Sequence, residues 1–330
     1  MQKIKIAQIG TSENSHGNQI WKGLLKKNDV FEVVGYSFPE NERDKFPEQM
    51  KDFDGYREMT VEEILSDSEI EVVAIETEEI YLTKYALMVA RAGKHVHMEK
   101  PGGIVHGEFE ELVNTVSEKG LVFSTGYMYR FNPKISEIIQ RVKNGELGKV
   151  YSVEAHMDCI HPPKVKRWLG EFPGGMMFFL GCHLIDLVYN IMGEPSEVIP
   201  LNCSSGIDGI ETKDCGMAVF KYKNGVSFVK TSASEYGGYL RRQLVICAEK
   251  GTVEIRPLEV PAEGGIYTVS QESHNEIWHH PWTVSKSEVF DRYEAMLDNL
   301  AEMIRGKKNP YSYEYELSLH KLILKACGGI

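Results

Sequence analysis

The sequence predicts an α/β protein of two domains: a parallel sheet wrapped by helices, then an α+β domain with a large, mostly antiparallel sheet. Three observations predict it. Short apolar strands alternate with segments of helical periodicity through residues 1–125. From Lys149 onward long strands succeed one another, joined once by the turn Lys223-Asn224-Gly225. The length of 330 residues suits two cores.

The first strand is predicted over Lys3–Ile9 and ends at Gly10. A loop with Thr11, Ser12, Asn14, Ser15, His16 and Gly17 follows, then a helix with Ile20, Trp21, Leu24 and Leu25 on one face. Asp29–Tyr36 reads as the second strand, and Thr60-Val-Glu-Glu63 has the spacing of a capping box. Glu71–Glu76 is the third strand, and Thr83–Ala92 is a helix with Gly93 past its end. Val96–Met98 is a fourth strand. Val105, Phe109, Leu112, Val113 and Val116 mark the next helix, and Leu121–Phe123 is a fifth strand.

A strand, a glycine turn and a helix are the parts that hold a dinucleotide's pyrophosphate. Gly10 and Gly17 bracket the turn, with Ser12, Asn14 and Ser15 as side-chain donors, but the spacing G-x-G-x-x-G is absent. Ser37 occupies the place of the ribose-binding acid, and Arg43 follows six residues later. This leaves NAD and NADP both open.

The strand carrying Lys94-His95-Val96-His97-Met98 runs into Glu99-Lys100-Pro101. Open α/β sheets gather ligands at the carboxyl ends of their strands. A lysine there can hydrogen-bond a hydroxyl or carbonyl oxygen and stabilise charge developing on it. Pro101 restricts Lys100 to extended geometry.

In the second half, Asn132-Pro133 opens a helix, with Ile135, Ile138, Ile139 and Val142 on its buried face. Strands are predicted at 150–159, 197–203, 215–222, 226–234, 242–248, 252–256 and 266–269. Helices should cover one face of this sheet and a second subunit the other, which predicts a homodimer or homotetramer. Ser285-x-x-Glu288 is read as opening a long helix through Ile304, and the helices of residues 285–326 are expected to pack back as part of the 126–330 domain. Gly174-Gly175 is read as a loop that approaches a ligand. It leads into a helix with His183 and Asp186 one turn apart, so that Asp186 can orient His183. Of His156, Asp158, His161 and His183, which could in principle bind a metal, only the first two have close regular spacing, i and i+2 on a strand, so no metal is expected. The loop from His156 to Trp168 carries Lys164, Lys166 and Arg167 and is the candidate for substrate contacts.

Composition narrows the classes. The net charge is −11 with no dense basic run, which argues against a nucleic-acid partner. No apolar run is long enough to span a membrane. The six cysteines are widely spaced with no C-x-x-C, as suits the reducing cytoplasm.

Several motifs together resemble the glucose–fructose oxidoreductase / inositol dehydrogenase / rhizopine catabolism (Gfo/Idh/MocA) family. They are Ala92-Gly-Lys-His-Val96, Glu99-Lys100-Pro101, Gly126-Tyr-Met-Tyr-Arg130-Phe-Asn-Pro133, Gly145-Glu-Leu-Gly148, Trp168, Gly174-Gly175 and Gly181-x-His183-x-x-Asp186. The resemblance implies a Rossmann domain and an open-faced sheet domain. It implies an NAD- or NADP-dependent oxidoreductase acting on a sugar, polyol or derivative. Lys100 would bond the reacting hydroxyl and touch the cofactor, and His183 would act as acid and base. Gly10, Thr11, Ser12, Ser15, His16, Ser37, Thr77 and Glu99 would line the cofactor. His156, Trp168 and Phe179 would join His183 around the substrate. A cis Lys100–Pro101 bond is common in the family. This chain departs from the pattern: Phe179 stands where many members carry an aspartate, and Glu78 and Leu82 replace the proline and histidine of Thr-Pro-x-x-x-His. The departures keep two other readings open, a nucleotide- or sugar-binding sensor without catalysis and an NAD-dependent glycosidase.

Overall fold

The computed structural model describes residues 2–330. They divide into two compact units, 2–127 with 293–320 and 128–292 with 321–330.

In the first unit the order is β1 (Ile4–Ile9), α1 (Gly17–Lys26), β2 (Phe31–Ser37), α2 (Glu42–Lys45), α3 (Pro47–Met50), α4 (Val61–Ser66), β3 (Val72–Ile75), α5 (Leu82–Arg91), β4 (His95–Met98), α6 (His106–Glu118) and β5 (Phe123–Thr125). The sheet order is β2-β1-β3-β4-β5, and every pairing is parallel. Strand order therefore reverses between β1 and β3, the crevice where such sheets bind ligands. Apolar residues of β1, β3, β4 and β5 pack with α4, α5 and α6 into one core. The Thr60 capping box forms with both its hydrogen bonds. β5 begins two residues later than expected. Leu121 still packs into the core, but its backbone belongs to the turn from α6.

The second unit contains α7 (Pro133–Lys143), β6 (Val150–Asp158), α8 (Pro163–Trp168), α9 (Cys182–Met192), β7 (Glu197–Cys203), β8 (Cys215–Tyr222), β9 (Gly225–Ser232), β10 (Gln243–Ala248), β11 (Gly251–Ile255), β12 (Val260–Ala262), β13 (Gly265–Tyr267), β14 (Val269–Ser273) and β15 (Thr283–Lys286). Unlike the expected 126–330 domain, α10 (Glu294–Ile304) belongs to the first unit, and α11 (Tyr313–Cys327) starts in the first unit and ends in the second. Eight strands form one sheet, β15-β14-β11-β10-β6-β9-β8-β7, and only β6 and β9 pair in parallel. Asn132 caps α7 through its side chain, as its position predicts.

Two expected elements differ. Ser285 does not open a helix. It lies in β15 opposite Ser270, hydroxyl to hydroxyl at 2.9 Å, and the helix begins at Glu294. The β-branched pair Thr283-Val284 favours a strand, and no apolar helical face starts at Ser285. The single strand expected at 266–269 is two, β13 paired with β12 and β14 in the large sheet. No helix is long and apolar enough to cross a membrane among the described residues.

Candidate active site

In the first unit, β4 delivers Glu99-Lys100-Pro101 to the carboxyl edge of the sheet. The Glu99 N–H donates to the Ile75 carbonyl at 2.9 Å, and the Gly126 N–H to the Met98 carbonyl at 2.8 Å. The Lys100–Pro101 bond is cis. Past it, the Gly103 N–H donates to Thr83 Oγ1 and the Gly103 carbonyl accepts from His320 Nε2, both at 2.8 Å. Burial holds the His320 imidazole down to about 4, so it stays neutral in this role.

Lys100 is 1% exposed and lies 3.6 Å from Glu99 Oε1. Glu76, Glu79 and His97 are buried with it. Burial pushes the Glu99 carboxyl up to about 7, against the pull of Lys100. Burial also raises Glu76 well above the carboxylate range, and the neighbouring Glu99 charge adds to the effect. Both Glu76 oxygens lack a hydrogen-bond partner. His97 is held down to about 4 by burial.

At the first turn, Gly10 has φ +87°, and a Cβ there would meet Thr77 at 2.4 Å, so only glycine fits. Thr77 packs on that glycine. Gly10 N–H donates to the Ser37 carbonyl at 2.8 Å, tying the turn to the end of β2. Ser12 and Ser15 brace the loop. Ser12 Oγ accepts from the Asn14 N–H, and Ser15 Oγ accepts from the Gly17 N–H at the start of α1. His16 Nδ1 pairs with the Tyr293 hydroxyl at 2.8 Å. Thr11 Oγ1 donates to Asn18.

These residues fit a dinucleotide at two points. The glycine turn brings backbone close to the crevice, and the first turn of α1 carries no acidic residue to repel a phosphate. One group competes. Glu42, fully buried, accepts the Thr11 N–H at 3.1 Å with one oxygen, and its other oxygen has no partner. Burial pushes this carboxyl up to about 9. A neutral Glu42 can yield its place to a phosphate or stay beside it as a donor.

In the second unit, a π-helical turn, Met177–Gly181, leads into α9. It carries Phe179, whose ring meets Trp168 edge-on at 5.0 Å and His161 at 6.2 Å. His183 is 1% exposed and lies edge-on to Tyr129 at 5.3 Å. Asp186 is buried, and Arg130 grips it through Nε at 3.0 and 3.1 Å and Nη2 at 2.8 Å. Trp168, Phe179 and His161 are thus one cluster, and His183 and Tyr129 another pair.

Three expectations change. His156 does not join His183: Val153, Ala155 and Met157 of β6 are buried beneath α9, so by alternation His156 points to the opposite face, where it lies by Phe228 and opposite Lys230. Gly174 and Gly175 approach backbone, not a ligand; a Cβ on them would meet Cys327 Cα at 2.7 Å and the Lys213 carbonyl at 2.2 Å. Lys166, expected among the substrate contacts, is instead 2% exposed and paired with Asp208 at 2.9 Å.

Sequence reasoning passed over Glu42, Glu76, Glu79, Arg130, Tyr129 and Arg242. The acidic run Glu76-Thr-Glu-Glu79 at a strand's carboxyl end was the visible signal for two of them. Arg242, set where β10 begins, had no such signal.

Comparison with known proteins bears on both units. Residues 4–127 match the family model described as "Oxidoreductase family, NAD-binding Rossmann fold", and residues 135–254 match the "GFO/IDH/MocA C-terminal domain". An uncharacterized oxidoreductase of Schizosaccharomyces pombe is 32% identical over 49% of this chain and 45% of its own length. The scyllo-inositol 2-dehydrogenase (NADP(+)) of Bacillus subtilis is 28% identical over 54% of this chain and 48% of its own. The chain thus matches about half the length of these curated relatives. The WlbA dehydrogenase of Bordetella pertussis, solved with NADH and UDP-GlcNAcA, shares the fold, with a TM-score of 0.77 at 18% identity, covering 99% of this chain and 97% of that one.

Proposed function

Because this chain belongs to the Gfo/Idh/MocA family, its first unit being the family's NAD-binding Rossmann fold, we propose that it is an NAD(P)-dependent oxidoreductase. Its substrate is a sugar, polyol or sugar derivative, oxidised or reduced at a CH–OH carbon. The observation that carries the reading is Lys100, wholly buried in a loop fixed on both sides at the sheet's carboxyl edge. In the oxidation direction His183 accepts the hydroxyl proton. The Lys100 ammonium is the donor that stabilises negative charge developing on a reacting oxygen. Bound nicotinamide supplies the hydride acceptor, or the donor in reverse. Glu99 keeps Lys100 placed, and Phe179 with Trp168 offers an apolar wall to a sugar ring. Tyr151, Leu201, Val226 and Val284 of the large sheet are exposed, which supports a homo-oligomer joined through that sheet.

The test is steady-state turnover of a panel of aldoses and polyols with NAD and with NADP. Lys100→Met should lower kcat/KM by about 10²–10³-fold, the usual effect of losing one oxyanion donor. Full turnover in that variant would sink the mechanism. The Glu42–Thr11 contact favours one other reading, a sensor that binds no dinucleotide; nucleotide titration separates the two.

A further inference from the structure

We propose that Glu76 and Glu99 read the charge of the cofactor: together they release a proton when the positively charged, oxidised nicotinamide binds, and keep it when the neutral, reduced form binds. This rests on the proposed function and deepens it, because it says which redox form the site favours as pH changes.

The two acids belong to one row. Gly10, Glu76, Glu99 and Gly126 are the first residues past β1, β3, β4 and β5, four neighbouring strands of one sheet. Backbone bonds hold the row level: the Glu76 N–H donates to the Ile9 carbonyl at 2.8 Å, and the Glu99 N–H to the Ile75 carbonyl at 2.9 Å. Ile75 and Met98 are register partners, so Glu76 and Glu99 start side by side, and alternation turns both to the face that carries His97. A Cβ on Gly126 would meet Glu99 Oε2 at 2.6 Å, and a Cβ on Gly17, at the start of α1, would meet Glu76 Cβ at 3.1 Å. The acids thus stand at the carboxyl edge, Glu76 beside the point where strand order reverses.

Little on the row offsets their charge. Glu76 is 0% exposed, and neither of its oxygens has a hydrogen-bond partner. His97 Nε2 lies 3.9 Å from Glu76 Oε1, but burial keeps that imidazole neutral. Lys100, 3.6 Å from Glu99 Oε1, attracts both carboxylates, and Glu79 repels both. The first turn of α1 adds no acid. The start of α10 adds Tyr293, paired with His16, and α11 adds Glu316, which accepts from Thr125 Oγ1 at 3.1 Å. One ammonium offsets one carboxylate, and burial favours a proton on the other.

Hydride transfer sets the nicotinamide ring beside the carbon whose oxygen Lys100 stabilises. The oxidised ring carries one positive charge and the reduced ring none. At an effective dielectric of about 20, unit charges about 7 Å apart shift an equilibrium by more than about tenfold. A positive ring therefore favours the ionised acids: a carboxyl O–H bond breaks, its proton passes to the buffer, and no electron moves. Both redox forms bury the site alike, so desolvation cancels when they are compared. Glu42 cancels as well, because it sits at Thr11 in the glycine turn that both forms share.

The experiment is calorimetric titration of the full chain with NAD+ against NADH, and with NADP+ against NADPH, at pH 6, 7 and 8. Two buffers of different ionisation enthalpy count the protons released. Kd for the oxidised form, relative to the reduced form, should fall by about tenfold from pH 6 to pH 8, the linkage of one proton. The oxidised form should release more protons at pH 6 than the reduced form does. The double variant Glu76→Gln/Glu99→Gln should abolish both differences. Thermal melts confirm that it is folded, and the wild-type comparison stands as a test without it. A fall of less than about threefold, equal proton release by the two forms, or a fall that survives in the double variant overturns the inference. Binding of both redox forms with parallel pH dependence overturns this inference alone. Binding of no dinucleotide at all removes the proposed function with it.

Discussion

Lys100 lies among buried carboxyls, whereas Arg242 lies beside a second guanidinium at a shared acid. Around Lys100 the acids are in excess: Glu76, Glu79 and Glu99 are buried with one lysine. In the second unit two cations, Arg242 and Arg292, both reach one acid, Glu259. The difference lies in how each imbalance is relieved. A buried carboxyl takes up a proton and becomes neutral, as the raised Glu76 and Glu99 do. A guanidinium cannot lose its charge in the accessible pH range. Protonation can relieve the crowding of the acids, and no such route is open to the arginines.

The largest expected effects break the comparison at its two centres. His183→Asn should lower kcat by about 10²–10⁴-fold, the range of a lost general base, with a flattened pH–rate profile as its mark. A variant with normal turnover would assign the proton transfer elsewhere. Next comes the buried ion pair of Arg130 and Asp186. Arg130→Met leaves Asp186 buried without its partner and should cost about 3–5 kcal/mol in urea unfolding. A loss within 1 kcal/mol, roughly that of an exposed pair, would show that Asp186 is compensated by other groups.

A smaller effect sharpens the contrast between acid and guanidinium. From its ordinary 4.5 up to about 7, folded Glu99 holds a proton that the unfolded chain has already released. Stability therefore falls as pH rises through that window. Glu42 extends the fall to about 9. His97, held down to about 4, acts the other way: its contribution is lost as pH falls from 6.5 toward 4. Urea midpoints at pH 5 to 9 should thus decline in the wild type and decline less in Glu42→Gln. An identical slope would mean that Glu42 is ionised in the folded protein. Arg242 contributes nothing to this slope, because it is charged in both states. The smallest effect is a reference point far from both centres: Thr60→Ala removes the capping box of α4 and should cost about 1 kcal/mol.

Much of the fold was legible because local chemistry and tertiary context agreed. The β7 and β8 strands fall on the expected residues, and Asn132 caps its helix. The helix expected at Ser285 failed because capping spacing says nothing unless an apolar face follows. The placement of Lys100 just past β4 and of His183 on α9 was legible, because each belongs to a contiguous motif. It was not legible where it depends on alternation, register or burial. His156 was assigned by residue type, although Val153, Ala155 and Met157 already dictated its face. Arg242 meets Glu259 seventeen residues later, where Arg292, fifty residues later, also binds, and such long-range pairings leave no mark in a single sequence.

The most direct measurement is fluorescence titration of the purified chain, freed of any copurified nucleotide, with NADH and with NADPH. The account predicts micromolar binding of at least one, with Glu42 giving way at Thr11. Binding of neither by a folded protein would contradict it, and would show that the turn from Gly10 to Gly17 keeps the shape of a dinucleotide site without its function.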